Sequence, residues 1–322
     1  MANRILKPEV ITATALGLLE RDLILANLVW TDGEWDFSGA KNDTVTIRVP
    51  ARLKAREYEW RNNRSESIVM DEVKEHRVDI RLSKDIYSAV AVTDEELTLD
   101  ISNFGSQILQ PQTRAVAEAI DDNIAALIEN APYRTTLPFN GDDPYVSVVA
   151  ARKALNRAKV PRGGRWLLVG SDVEERILLS ERFSKAASAG EEAAVSALQE
   201  ATVGRIAGFT VVQSEAIDPG HAFAFVQSAY AVATRAPVVP DGAKAGSRDS
   251  YHGFAMRWIQ DYDSDRLRDR SVVSAFAGFN VVTDPMGDPN DDDPPMELVR
   301  AVKLELADPP APAPATSRRS SK

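Results

Sequence analysis

The sequence predicts an α+β protein in which a long two-stranded ribbon leaves a body made of one extended helix and several groups of strands. Three observations carry this reading. Residues 43–82 alternate apolar with charged side chains along two arms. Residues 102–130 repeat apolar positions at helical spacing. The rest mixes capped helical segments with short strand-like runs that return near the C-terminus, a pattern of segregated rather than strictly alternating elements.

The N-terminal segment reads as a helix over residues 12–30. Leu16, Leu19, Leu23 and Ala26 recur every three or four positions and form one apolar stripe. The stripe suits either docking on its own domain or an arm that packs on a neighbouring subunit. In residues 43–56, Val45, Ile47, Val49, Ala51, Leu53 and Ala55 alternate with polar and basic residues that include Arg48, Arg52, Lys54 and Arg56. Period two of this kind predicts a strand with unlike faces. The alternation runs on through Tyr58 and Trp60 to a turn cluster at residues 62–65, with Arg61 and Arg64 flanking Asn62 and Asn63 and Glu66 just beyond. Val78, Ile80 and Leu82 mark the returning arm. Arms of nearly twenty residues would reach about 50–60 Å at ~3.3 Å per residue. A compact chain of this length has a radius of gyration of only about 20 Å. The ribbon is therefore expected to overhang its own body and to rest on another copy; the alternative is a pair of strands inside an ordinary sheet.

A short strand at residues 86–92 and a capping box at Thr93 and Glu96 precede the long helix, whose buried side is Val116, Ile120, Ile124, Leu127 and Ile128. Pro111 is expected to kink or restart it. Asp143 and Pro144 open a second block: a helix to about residue 159, a buried strand at 165–170, and a helix begun by a capping box at Ser171 and Glu174. Beyond an Ala-rich helical stretch come a glycine-punctuated strand pair at 204–212 and a strand at 222–226. Strands return at 251–282 and 298–306. The Pro/Ala tail after residue 307 is expected to be disordered.

Composition narrows function. The chain has 322 residues, 44% of them hydrophobic, enough for about two domains. A net charge of −10 argues against a general nucleic-acid binder. With no cysteine, disulfides, thiol nucleophiles and Cys-ligated zinc are excluded. No apolar run approaches the ~20 residues needed to cross a bilayer, and residues 1–8 lack a signal core, so a soluble cytoplasmic product is expected. His76, His221 and His252 share no metal-binding spacing and read as surface residues. Phosphate-loop, dinucleotide and nucleophile-elbow motifs are missing. Asp284, Asp288, Asp291, Asp292 and Asp293 fail the calcium-loop pattern, because Asp293 stands where glycine is needed. They read as a solvated loop. Asp121 and Asp122 resemble a catalytic carboxylate pair but fit the exposed edge of a helix better. No catalytic, cofactor or metal site is expected; a carboxylate-based hydrolase at Asp121 and Asp122 is the enzymatic alternative.

Taken in order, these parts resemble the major capsid protein of tailed bacteriophages, the Hong Kong 97-type fold, and most of all the coat proteins of actinobacterial phages. The resemblance rests on Ile11-Thr12-Ala13 with the helix after it, on residues 39–50, on Ile108-Leu109-Gln110-Pro111 with residues 117–121, and on residues 204–211. It implies an N-terminal arm (1–42), an extended loop (43–92) and a peripheral domain whose first part holds the spine helix (93–143). It further implies an axial domain (144–245), the rest of the peripheral domain (246–306) and a tail (307–322). The implied function is a coat subunit that forms pentamers and hexamers in an icosahedral shell around double-stranded DNA; an encapsulin-like compartment is the alternative. Implied partners are other copies, a portal, a separate scaffolding protein, a possible decoration protein and the packaged DNA, met non-specifically. The implied location is the virion, after assembly in the host cytoplasm. Candidate intersubunit contacts are Arg52, Lys54, Arg56, Arg61, Arg64 and Glu66, with Tyr58 and Trp60 as aromatic anchors. Leu16, Leu19 and Leu23 add the arm. Lys54 and Lys74 lie in the loop, yet no cross-linking is expected.

Overall fold

The computed structural model describes residues 24–31, 43–49, 55–61, 64–65, 67–68, 70, 73, 76–99, 104–180, 204–251, 254–286 and 294–306. A 3₁₀ turn, Leu25–Leu28, comes first, and Trp30 then bridges to Ala231. Strands β1 (Thr44–Val49) and β2 (His76–Arg81) lead into β3 (Lys84–Thr93), helix α1 (Asp94–Leu99), a π-helical turn (Gly105–Leu109) and the long helix α2 (Gln110–Glu129). Next come β4 (Thr136–Phe139), α3 (Pro144–Arg157), β5 (Arg165–Val169) and α4 (Ser171–Leu179). Strands β6 (Arg205–Ile206), β7 (Phe209–Gln213), β8 (His221–Val226), β9 (Tyr230–Arg235), β10 (Ala245–Tyr251) and β11 (Phe254–Asp263) follow. The last are β12 (Arg268–Val281), β13 (Asp284–Pro285), β14 (Met296–Glu297) and β15 (Ala301–Leu306).

Two sheets organise the body. The first runs β10-β11-β12-β3, all antiparallel. β12 is long enough to change partners along one edge: β11 pairs with its first half and β9 with Phe276–Val281. The second is mixed, in the order β4-β15-β8-β5-β7-β6, with β15/β4 and β5/β7 parallel.

Helix α2 lies on the first sheet. Val116, Ile120, Ile124 and Ile128, spaced at helical period, are almost fully buried against a core that includes Met256, Trp258 and Val273. Each such side chain contributes roughly 1.5–3 kcal/mol on burial. Gln112, also buried, fixes the register. Its Nε2 donates to the carbonyls of Ser88 and Ser271, and its Oε1 accepts from the Ser271 hydroxyl, which in turn accepts from Trp258 Nε1. The restart expected at Pro111 is present as the π-helical turn that ends at Leu109, with Pro111 in the first turn of α2. A second core joins α3 and α4 to the mixed sheet through Val148, Leu155, Val173, Ile177, Leu167 and Phe209. The β6–β7 reversal needs left-handed backbone at Ala207 and Gly208, so the glycine punctuation marks a tight turn.

Several expectations require correction. The helix read over residues 12–30 is only a 3₁₀ turn in its described part; residues 12–23, with Leu16, Leu19 and Leu23, lie outside the described residues. The ribbon pairs over six residues per strand, Thr44↔Arg81 to Val49↔His76, and no described residue from 55 to 73 is in a strand. Its paired base is seated on its own body: Val45, Ile47, Val49, Val78 and Ile80 bury against Ala231, Ala233 and Val282. The Thr93/Glu96 capping box forms reciprocally, but the one at Ser171 does not, because Gly170 is the cap and its carbonyl accepts from Glu174 N–H. Asp284 is not solvated: it makes a buried two-oxygen pair with Arg300 at 2.7 Å. The Ala-rich stretch, Asp288, Asp291, Asp292, Asp293, His252 and the tail lie outside the described residues.

Candidate assembly surface

The loop beyond β1 and β2 carries the side chains singled out for contact with other subunits. Arg56, Trp60, Arg61 and Arg64 are exposed and Tyr58 is half-buried; Arg52, Lys54 and Glu66 lie outside the described residues. Arg61 (φ 64°) and Arg64 (φ 57°) both have left-handed backbone. Such backbone is unfavourable for residues other than glycine, of order 1 kcal/mol or more each. Here it sets cations over rings: the Arg64 guanidinium lies 5.2 Å from the Tyr58 ring centre and Arg61 lies 6.0 Å from that of Trp60. Contacts of this kind are worth ~0.5–1 kcal/mol when exposed and more when desolvated. Trp60 is 86% exposed, Met70 84%, Val73 67% and Ile68 63%. Four large apolar side chains therefore stand in solvent on one loop. Sequence alternation pointed to Tyr58 and Trp60; Ile68, Met70 and Val73 escaped because the returning arm shows no period-two pattern there.

Gly278 holds the loop base to the body. A Cβ at this position would sit 2.5 Å from the Arg81 carbonyl oxygen, so only glycine lets β12 approach β2 this closely. Two hydrogen bonds flank the contact, Ser83 N–H to the Ala277 carbonyl and Asn280 Nδ2 to the Asp79 carbonyl.

Of the two carboxylates considered for chemistry, Asp121 serves the fold. Asp121 accepts backbone N–H groups from Ile24, Leu25 and Ala26, anchoring the N-terminal segment on α2. Burial raises its pKa, partly offset by those donors, while Asp122 adds a smaller like-charge push upward. Asp122 is exposed. His221 is not a free surface residue: its Nδ1 lies 2.9 Å from Glu129, and the other oxygen of Glu129 accepts the Asp218 N–H. Tyr133 and Tyr230 share a hydrogen bond between their hydroxyls, and desolvation pushes both pKa values up. Open grooves of about 400 to 490 Å³ are lined mainly by apolar and basic residues. Among the described residues no group of three or more His, Asp or Glu is placed to hold a metal, and no helix is long and apolar enough to cross a membrane.

Solved structures share this architecture. One from Mycobacterium phage Che8 aligns with 88% of this chain and 90% of its own at a TM-score of 0.60 and 19% identity. The capsid of the cyanophage P-SCSP1u aligns with 96% and 91% at a TM-score of 0.64 and 13% identity. A virus-like particle from Pyrococcus furiosus aligns with 92% and 98% at a TM-score of 0.53 and 10% identity. No curated protein sequence gives a significant match. The fold is that of a capsid subunit, of the Hong Kong 97 type. The phage capsid protein family matches residues 79–289, and the chain belongs to that family.

Proposed function

We propose that this chain is a major capsid protein whose copies associate as pentamers and hexamers into an icosahedral shell around double-stranded phage DNA. The loop supports the reading. Ile68, Met70, Val73 and Trp60 are largely exposed on their own subunit, and covering each on a neighbour is worth up to roughly 1.5–3 kcal/mol. Arg56, Arg61 and Arg64 lie on the same loop and would meet acidic patches; exposed ion pairs add at most ~1 kcal/mol each, so the aromatic and aliphatic contacts dominate. Leu16, Leu19 and Leu23 would extend the interface through the N-terminal arm. Domain bounds at residues 42, 92, 143, 245 and 306 follow from the same reading. Partners are further copies, a portal, a separate scaffolding protein and a possible decoration protein. The product resides in the virion after assembly in the host cytoplasm. Its role is structural and non-enzymatic.

The test is the pair Trp60→Ala and Arg56→Glu. The double variant keeps native circular dichroism but yields few closed particles by negative-stain microscopy and sedimentation. Shells of normal yield and size from it would sink the loop assignment. A second reading is an encapsulin-like compartment around protein cargo; the virus-like particle from Pyrococcus furiosus has the same fold. Particles purified from infected or induced cells distinguish the two, through nuclease-protected DNA in the first case and an enclosed protein in the second.

A further inference from the structure

Between Pro144 and Gly170 the chain has six cations and not one acid: Arg152, Lys153, Arg157, Lys159, Arg162 and Arg165. Set against the net charge of −10, this leaves −16 for the rest of the chain. The segment is the C-terminal half of α3 and the turn that follows. Five of its cations are exposed. Elsewhere several cations find carboxylates, among them Arg81 with Asp43, Arg114 with Glu118, Arg270 with Asp261 and Arg300 with Asp284. Lys153, Arg157, Lys159 and Arg162 make no ion pair among the described residues. Among the described residues Arg152 bonds to the Ala207 carbonyl and to no carboxylate.

Arg165 forms the sixth and lies buried beneath the turn. Its guanidinium donates to the carbonyls of Pro161 and Val160 and to Asn156 Oδ1, and among the described residues to no carboxylate. The buried charge thus shapes the turn without cancelling it. Burial lowers the Arg165 pKa, and the charges of Arg152 and Arg162 lower it further. Gly163 and Gly164 face open space, so the backbone itself is approachable. A helix C-terminus explains only a fraction of this charge: its macrodipole amounts to about half an elementary charge and is answered by one cation in the last turn.

We propose that residues 152–165 are the surface through which the subunit meets the phosphate backbone of double-stranded DNA. The proposal rests on the shell reading and places a local positive footing on an otherwise repellent wall. Contacts between cations and phosphates carry no base readout, so binding is sequence-independent and salt-sensitive.

The full-length chain, kept unassembled at low concentration, is titrated against a fluorescent 20-base-pair duplex from 50 to 200 mM salt. If four cations each meet a phosphate, the slope of log K on log salt is about −0.9 for each, and affinity falls about 150-fold over that range. The variant Lys153→Gln, Arg157→Gln, Lys159→Gln, Arg162→Gln then loses most of the binding and nearly all of the slope. An unchanged slope in this variant, or no binding by the natural chain at 50 mM salt, overturns the proposal. Binding that emerges only after Asp288, Asp291, Asp292 and Asp293 are changed to Asn also overturns it, since the surface would then belong to that acidic run. Particle formation, followed in parallel, is a separate readout: a chain that binds duplex yet never assembles removes the shell reading and leaves the DNA surface standing.

Discussion

Replacing Gly278 by alanine tests how the loop is fastened. The added methyl would lie 2.5 Å from the Arg81 carbonyl oxygen, 2.8 Å from its carbon and 3.1 Å from Leu82 N. These are backbone atoms, so relief requires the loop base to move away from β12 rather than a side chain to turn. Overpacking of this kind costs about 1–3 kcal/mol. Movement also stretches the Ser83–Ala277 and Asn280–Asp79 hydrogen bonds, worth ~1 kcal/mol each. The expected loss is about 2–5 kcal/mol in urea unfolding. Hydrogen exchange should quicken in residues 76–82 while α2 keeps its protection. A loss below ~0.5 kcal/mol, or exchange unchanged in β2, would refute the argument that this close approach seats the loop.

Asp121→Ala leaves three backbone donors without their carboxylate and is expected to cost about 1–3 kcal/mol, because water reaches part of the site. Proteolysis near residues 24–26 reads it out. The raised pKa of Asp121 gives a sign as well. As pH falls towards the ordinary value of 3.8, the folded state takes up the proton first, so this group's contribution to stability rises with acidification and is lowest above its folded pKa. Asp121→Asn should remove that acid-side gain in a pH series of urea midpoints; an unaltered series would refute it. Gln112→Leu strands the carbonyls of Ser88 and Ser271 from a buried donor and is expected to cost about 2–3 kcal/mol, measured by thermal or urea unfolding. Arg64→Ala removes the cation over Tyr58 and should cost less than ~1 kcal/mol in the isolated subunit but lower particle yield. Equal effects on both would argue that Arg64 serves only its own loop.

The strongly periodic parts of the fold were legible. Val116, Ile120, Ile124 and Ile128 mark one helix face, and Val45, Ile47 and Val49 one strand face; both faces are buried. The turn at Ala207 and Gly208 was legible from its glycines. What escaped depends on contacts far apart in sequence. β9 alternates the strand formers Tyr230, Val232 and Thr234 with Ala231 and Ala233, but both of its faces are buried, by β12, the helical core and the loop base, so no apolar–polar period marks it. Asp284 looked like one member of an acidic loop until Arg300 was found beside it. Asp121 looked exposed because its donors lie about 95 positions upstream. The basic stretch from Arg152 to Arg165 was visible as an acid-free run but was averaged away by a net charge dominated by the rest of the chain.

Six residue pairs hold the ribbon at its root, while 26 residues lie between Val49 and His76. Half of that length can extend at most about 43–47 Å, against a root of about 20 Å. A loop of that reach, if drawn out, would act on its root as a lever with a short fulcrum. A pull at the tip would then be multiplied where Arg81 crosses Gly278, and β12 would pass the load to the helix that lies on it. Tension between adjoining subunits would therefore register first inside the body of each one.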